Sequence, residues 1–321
     1  MVDIKSNRGG QTNVLAPSEQ LKKADNLEEL IKMCPVNKTI GDNLIIAWSK
    51  INSNRYKKIC CSISGGSDSD VMLDIIWRCD KDNKVDYVWF DTGLEYQATK
   101  DHLKYLEEKY GIEIIRYKAI KPIPVSCKEY GQPFLSKYVS DSIHHLQKYN
   151  FDFSDKPYNE MLISGIPQYL SKWWCNKYQP SYSQWNIGRN KYLKEFLIQN
   201  PPYFKISSKC CKYAKKDISH KLIKECRYDL MITGIRKAEG GIRAASYKNC
   251  FSENDDGADF YRPLFWYTNQ DKIDYENAFN VTHSRCYTKY GLNRTGCAGC
   301  PFEKYFEHEL EVVKEFEPKL F

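Results

Sequence analysis

A doubly wound parallel α/β sheet is the fold class predicted by this sequence of 321 residues, and three observations predict it. Short apolar runs of β-leaning residues at 58–64, 85–90 and 112–117 alternate with segments of helical periodicity. That spacing suits parallel strands joined by right-handed crossovers. The first run ends in Ser64-Gly65-Gly66-Ser67-Asp68-Ser69, a turn set between a strand and a helix. A further run, Asp229-Leu-Met-Ile-Thr-Gly234, has the same strand character.

Residues 1–20 are rich in Gly, Asn, Gln and Ser, lack apolar periodicity, and are predicted to form a disordered arm. Residues 21–55 hold two helical segments, LKKADNLEELIKMC and IGDNLIIAWSKIN, with apolar positions recurring at three and four. Residues 56–120 form the expected core. The strand to Ser64 is followed by the helix VMLDIIWRC, a strand ending in Asp91-Thr92-Gly93, a helix from Glu95 to Tyr110, and the strand Ile112–Tyr117. Across 121–208 Pro, Tyr, Trp and Lys rise and alternation fades, with the run KWWCNKYQPSYSQW, which predicts a helical, aromatic-rich insertion covering the active edge as a lid. Residues 209–321 supply the rest of the core and a turn-rich cysteine segment. The length suits one large α/β domain with a substantial appendage, or two domains.

Composition limits the function classes. The net charge of +7 suits an anionic ligand but is no basic tail. No stretch approaches the roughly 18 apolar residues that cross a bilayer, and the N-terminus lacks the apolar core of a signal peptide. A cytoplasmic location without membrane association is the expectation. Thirteen cysteines, an odd number without an export signal, argue against a disulfide framework. Such thiols are core residues, metal ligands or redox groups, and Cys60, Cys79 and Cys226 sit in apolar or helical surroundings that suit the core.

The turn Ser64–Ser69 carries the clearest chemical signal. Two glycines let the backbone turn tightly and bring N–H groups close to a ligand. The following helix offers unpaired N–H donors and the positive end of its dipole to an anion. Ser64, Ser67 and Ser69 add hydroxyls. Neither GxGxxG nor GxxxxGK[ST] is present, which disfavours a Rossmann dinucleotide site and a Walker loop.

Four motifs in order resemble one family. SGGSDS resembles the pyrophosphate (PP) loop of the ATP-pyrophosphatase superfamily, which includes the phosphoadenosine-phosphosulfate (PAPS) reductases. Phe90-Asp91-Thr92-Gly93-Leu-Glu95-Tyr resembles the DTGxxxxET segment of the reductase branch. Thr233-Gly234-Ile-Arg236-Lys-Ala-Glu239-Gly-Gly-Ile-Arg243-Ala resembles its GxRxxES-xx-RA segment, and Tyr261-Arg-Pro-Leu-Phe-Trp266 with Asn269-Gln-Asp271 its PLxxWtxxDV segment. The resemblance spans roughly 60–300 and implies an adenine nucleotide alpha hydrolase-like fold. It implies an adenine nucleotide, ATP with Mg²⁺, held by Ser64, Gly65, Gly66, Ser67, Asp68, Ser69, Asp91, Thr92, Gly93, Gly234 and Arg236. Asp91 would hold Mg²⁺ or a ribose hydroxyl. Asp68, Arg236 and Arg243 are the candidate catalytic residues, the arginines as bidentate partners of phosphate or sulfate oxygens. The plain alternatives are surface ion pairs for the arginines and a helix cap for Asp68.

Cys210-Cys211 and, downstream, Cys297-Ala-Gly-Cys300 are the candidate metal ligands. A CxxC turn with glycine brings two thiols together. The CC…CxxC arrangement resembles the [4Fe–4S] ligand set of adenylylsulfate reductases and of relatives in DNA phosphorothioation, with structural zinc or no metal as alternatives. Cys250 and Cys286 are reserve ligands, and Lys209, Lys212, Lys215 and Lys216 suit an anionic cluster or a phosphosulfate. Sulfonucleotide reductases carry a nucleophilic cysteine in a C-terminal tail, whereas no cysteine follows Cys300 here. That departure points away from reductase chemistry unless Cys175 substitutes. The expectation is therefore an ATP pyrophosphatase that adenylates an acceptor for sulfur transfer. Its partners would be a sulfur donor such as a cysteine desulfurase and an acceptor such as nucleic acid. Residues 171–216 hold ten basic side chains against Glu195 alone, interleaved with Trp173, Trp174, Trp185 and several tyrosines. That mixture suits an aromatic-rich helical lid, or nucleic acid by phosphate attraction and base stacking. A reductase with an atypical thiol and a non-catalytic nucleotide- or cluster-sensing module are the other readings.

Overall fold

The computed structural model describes residues 21–33, 37–240, 246–254 and 257–321. The chain divides into two compact units. A sheet unit comprises residues up to Phe90, Glu95–Tyr117 and Ser219–Gly296, and a helical unit comprises Asp91–Leu94, Lys118–Ile218 and Cys297–Phe321.

The strands are β1 (Ile59–Ile63), β2 (Val85–Asp91), β3 (Ile114–Lys118), β4 (Leu230–Thr233), β5 (Phe251–Ser252) and β6 (Asp259–Tyr261), in the order β3-β2-β1-β4-β6-β5. β1 runs parallel to β2, with Ile59 opposite Val85, and parallel to β4, with Ile59 opposite Leu230. β4 and β6 are parallel, and only β5 on β6 is antiparallel. The mostly parallel α/β sheet expected from the sequence is therefore present. The strand order turns at β1, with β2 on one side and β4 on the other, and a parallel sheet binds ligands at such a switch point. The loops after β1 and β4 leave side by side at this place.

The helices of this unit are α1 (Leu27–Met33), α2 (Lys38–Ile51), α3 (Ser67–Cys79), α4 (Gln97–Tyr110) and most of α11 (Asp217–Cys226), followed by α12 (Asn269–Phe279) and α13 (Arg285–Thr288). α3 is buried from Ser69 to Cys79 because β1 covers one side and α2 and α12 the other. Leu44, Ala47 and Ile51 of α2 meet Leu73 and Ile76 of α3 and Ile59 and Cys61 of β1 in this core. Its polar centre is Asp74. That carboxylate accepts from Arg78 Nε at 2.6 Å, Tyr110 Oη at 2.9 Å and Tyr275 Oη at 2.7 Å. Both ions are fully buried, which is tolerable because every partner is supplied.

The helical unit holds α5 (Ile123–Tyr130), α6 (Lys137–Lys148), α7 (Tyr158–Ile163), α8 (Gln168–Trp174), α9 (Leu193–Gln199), α10 (Lys209–Cys211) and α14 (Phe306–Phe316). The predicted helical character of 121–208 is seen in α5 to α9. Val139, Ile143 and Leu146 of α6 pack with Phe151, Phe153, Met161, Trp173 and Trp174 in a separate core. Trp173 is 1% exposed and Trp174 fully buried, so these two are core residues and are not available for base stacking. A π-turn, Lys212–Lys216, follows α10. The disordered arm expected at 1–20 lies outside the described residues.

Candidate functional site

The phosphate loop leaves β1 at Ser64 and enters α3 at Ser67. Gly65 holds φ +68°, a conformation that favours glycine, and a Cβ there would stand 2.8 Å from Thr99 Cγ2. Gly66 is the N-cap of α3 and offers no side-chain cap, so Asp68 does not cap the helix. Asp68 instead accepts from Arg236 Nε at 2.8 Å, with Lys272 Nζ 3.8 Å away. Arg236 Nη1 also donates to Asn269 Oδ1 at 3.0 Å. The pair is largely buried, so Arg236 is not a surface ion pair. Burial pushes the Asp68 pKa up, and it stays raised against the pull of Arg236 and Lys272. Gly234, after β4, lets the two loops meet, because a Cβ there would lie 3.3 Å from the Asp68 carbonyl oxygen. Arg243 lies outside the described residues.

A chain of charges continues into α3. Lys272 pairs with Glu276 at 2.7 Å, and Glu276 accepts from His283 Nε2 at 2.9 Å. His283 Nδ1 lies 2.8 Å from Asp70 Oδ2, and Asp70 Oδ1 lies 3.0 Å from His102 Nε2. Burial alone would lower the His283 pKa, but its bonds to Asp70 and Glu276 outweigh burial and raise it to about 9. Asp70, fully buried, is pushed up by desolvation and pulled down further by the two imidazoles, with a lowered net value. The sequence reading missed this chain. The first turn of α3 offered a signal, in Asp68 and Asp70 flanking the predicted loop, but the partners lie far along the chain.

In the helical unit, Asp91 Oδ1 accepts from Gly93 N at 2.9 Å and closes a tight turn. Thr92 is buried, with its Oγ1 3.3 Å from Cys297 Sγ, and Ala298 N donates to Leu94 O at 2.7 Å. The Asp91-Thr92-Gly93 segment is thus tied to the CxxC turn. Facing that turn are Cys210, Cys211 and a fifth cysteine, Cys127 of α5, which sequence reading left out. The Cys127 thiol takes a hydrogen bond from Cys210, which lowers its pKa against the opposing effect of burial and of the charges of Cys211, Cys297 and Cys300. Cys210 in turn takes one from Cys211, and the bond it gives to Cys127 pushes its pKa up to about 12. Cys211 is raised by its bond to Cys210, and burial raises Cys300 to about 11. Gln132 N bonds Lys205 O at 2.8 Å and Ser207 N bonds Gln132 O at 2.9 Å, stitching the end of α5 to the segment that leads into α10. Lys215 and Lys137 face Cys211, whereas Lys212 pairs with Asp217 at 2.7 Å. Cys250 and Cys286 belong to the sheet unit, Cys286 being buried against Thr99 Oγ1 at 3.6 Å.

Among the described residues no group of three or more His, Cys, Asp or Glu side chains stands at metal-holding spacing. The chemistry of these donors is all sulfur, which suits an iron–sulfur cluster or zinc over Mg²⁺. Cys175 Sγ points at Lys156 O, 3.5 Å away, and Met161 Sδ, 3.6 Å away, and burial raises its pKa, so it is a packed thiol and a poor nucleophile. Among the described residues no helix is long and apolar enough to cross a membrane.

Residues 58–150 match the family model for the phosphoadenosine phosphosulfate reductase domain. An uncharacterized protein of Methanocaldococcus jannaschii is 32% identical over 192 residues, a match covering 57% of this chain and 38% of that relative, so the match spans well under half of the relative's length. Three solved structures are similar at low identity. The PAPS reductase of Candida auris in complex with phosphate is 14% identical with a TM-score of 0.43, covering 84% of this chain and 93% of that one. The FMN adenylyltransferase of Candida glabrata with FMN and an ATP analogue is 12% identical with a TM-score of 0.45, covering 89% and 81%. The U34-tRNA thiolase NcsA of Methanococcus maripaludis with its [4Fe–4S] cluster is 12% identical with a TM-score of 0.41, covering 88% and 78%.

Proposed function

We propose, from the match of residues 58–150 to the phosphoadenosine phosphosulfate reductase domain model, that the chain is an ATP pyrophosphatase that adenylates an acceptor for sulfur transfer. The observation that carries this reading is the convergence of Arg236 and Lys272 on Asp68, beside the Gly65-Gly66 turn and the start of α3. Two cations and a helix N-terminus at a sheet switch point suit a triphosphate.

The residues divide the work. Backbone N–H groups and the Ser64, Ser67 and Ser69 hydroxyls hold the β- and γ-phosphates. Arg236, aimed by Asn269, and Lys272 exchange Asp68 for phosphate oxygens and neutralise charge as it shifts to the leaving group. An acceptor oxygen forms a bond to the α-phosphorus while the bond to the β-phosphate oxygen breaks, and pyrophosphate leaves with that electron pair. Mg²⁺, when bound, would neutralise phosphate charge, and Asp68 is the carboxylate of the loop suited to it. Catalysis here is positioning and charge, with no covalent intermediate on the protein.

Four thiols drawn from Cys210, Cys211, Cys297 and Cys300, with Cys127 as the alternative to one of them, would hold a [4Fe–4S] cluster, or zinc in its place. Such a group, when bound, supplies a soft centre for sulfur. A persulfide-bearing desulfurase suits the role of donor, with a dithiol supplying the two electrons that reduce its outer sulfur and AMP leaving the adenylated carbon with the carbon–oxygen electron pair. For the acceptor, the helical unit presents a face of basic and aromatic residues. Tyr138 meets Trp185 edge-on at 4.9 Å, Tyr169 Oη bonds His145 Nδ1 at 2.9 Å, and Lys172 lies over the Tyr178 ring. Tyr149, Tyr169 and Trp185 are 50%, 47% and 43% exposed. Open rings beside lysines suit stacking of unpaired bases, so nucleic acid is the proposed acceptor class.

The test supplies anaerobically reconstituted protein with ATP labelled at the α- and γ-phosphates, Mg²⁺, bulk tRNA or DNA, a desulfurase with cysteine, and a dithiol reductant. The proposal expects AMP and pyrophosphate in equal amounts, dependent on nucleic acid. ADP and phosphate instead, or no turnover with either nucleic acid, would count against it.

A further inference from the structure

We propose that the amides of Ser67 and Thr295 form a two-donor seat for a phosphate oxygen of the nucleotide, and that the Tyr287 hydroxyl is a built-in occupant which the nucleotide must displace. The inference rests on the nucleotide reading of the Ser64–Ser69 loop and assigns a control to that site.

Four backbone amides of the loop and the start of α3 have defined partners. Ser64 N donates to Ser69 Oγ at 2.9 Å and Gly66 N to Ser64 Oγ at 3.3 Å. Asp70 N begins the helical pattern by donating to Gly66 O at 3.0 Å. Ser67 N, the first amide of α3, points at Tyr287 Oη at 3.0 Å. Thr295 N, from the segment ahead of the CxxC turn, reaches the same oxygen at 3.2 Å. Two backbone donors from separate parts of the chain therefore converge on one oxygen at a helix N-terminus. This is the pattern by which proteins hold an oxyanion. Here the oxygen is a neutral phenol, which the helix dipole rewards less than a phosphate.

The surroundings suit a larger polar guest. A Cβ on Gly66 would stand 3.2 Å from Ser64 Oγ, 3.2 Å from Thr295 Oγ1 and 3.3 Å from Tyr287 Oη, so three hydroxyl oxygens ring this glycine. The backbone carrying Tyr287 is pinned. Ser284 Oγ caps Cys286 N at 3.2 Å and donates to Ala98 O at 3.2 Å, while Cys286 is buried against Thr99. His283, whose ring meets Tyr287 edge-on at 5.9 Å, is tied to Asp70 of α3. With the main chain that leads into Tyr287 fixed, rotation of the tyrosine side chain is the way the seat empties. A nucleotide that fills both amides displaces the phenol, whereas a ligand lacking a phosphate at this place leaves it in.

The test is Tyr287→Phe, which keeps the ring and removes the oxygen, measured by calorimetry with magnesium pyrophosphate and with ATP–Mg²⁺ against wild type. Removing an internal competitor that makes two neutral hydrogen bonds should tighten binding about tenfold. Amide exchange gives a second readout. Ser67 and Thr295 should exchange slowly in free wild type, fast in free Tyr287→Phe, and slowly in both once pyrophosphate is bound. Equal or weaker binding by the variant, with wild type still binding, would overturn the displacement and leave the nucleotide reading standing. Failure of both proteins to bind either ligand would overturn both.

Discussion

His283 should make the sheet unit lose stability as pH rises above neutrality. The imidazole is clamped between Asp70 at 2.8 Å and Glu276 at 2.9 Å, with Lys272 on the far side of Glu276, His102 on the far side of Asp70, and the Tyr287 ring against it. Its pKa rises from 6.5 to about 9, and its side chain is only 17% exposed. At about 1.4 kcal/mol per pH unit, that interval corresponds to about 3 kcal/mol. Because the folded-state value is the higher one, this contribution is complete below about pH 6.5 and is lost as pH climbs through 9. Asp70 and Glu276 take part in the same contacts, so the figure covers all three groups once. Urea unfolding in the presence of reductant, followed by tryptophan fluorescence at pH 6, 7.5 and 9.5, reads the effect. His283→Gln keeps hydrogen bonding without the charge. It should be about 2–3 kcal/mol less stable than wild type at pH 6 and nearly equal to it at pH 9.5. Parallel stability curves for the two proteins across this range would refute the reasoning.

Further outcomes follow from other contacts. Arg236→Ala leaves the Asp68 carboxylate without its main partner. It should cost about 3 kcal/mol in urea unfolding, partly restored by adding Asp68→Asn, while nucleotide binding stays lost in the double variant. Asp74→Asn weakens the contacts to Arg78, Tyr110 and Tyr275 in the core and should lower stability by about 3 kcal/mol with no change in pH profile near neutrality. Gly65→Ala forces a side chain into a positive-φ position against Thr99, and a loss of about 1–2 kcal/mol is expected in thermal unfolding. Cys210→Ser should strip iron from anaerobically reconstituted protein, whereas Cys250→Ser, in the other unit, should leave iron content and visible absorption unchanged.

The strands that frame the loop were legible because each is a run of β-branched and apolar residues, as in Ile59–Ile63 and Leu230–Thr233. β5 and β6 were not, because strands of two and three residues, FS and DFY, leave too short a pattern to register. The loop itself was visible, since two glycines at a strand end carry a steric meaning. The salt bridge of Asp68 to Arg236 was not, because the residues lie 168 positions apart and only the parallel pairing of β1 with β4 brings them together. Cys127 went unnoticed for a similar reason. It has no cysteine at ligand spacing in sequence and meets Cys210 only because the end of α5 is stitched to the segment before α10. Composition treated the aromatic run as one feature, but packing splits it. Trp173 and Trp174 face the core from α8, while Trp185 stands outside.

The account turns on which adenine nucleotide the loop holds. The most direct measurement is parallel calorimetric titration of ATP–Mg²⁺ and of PAPS into anaerobically purified protein and its Arg236→Ala variant. Tighter binding of ATP–Mg²⁺ than of PAPS, lost in the variant, is the predicted result. Tighter binding of PAPS, or ATP binding that does not change on loss of Arg236, would contradict it.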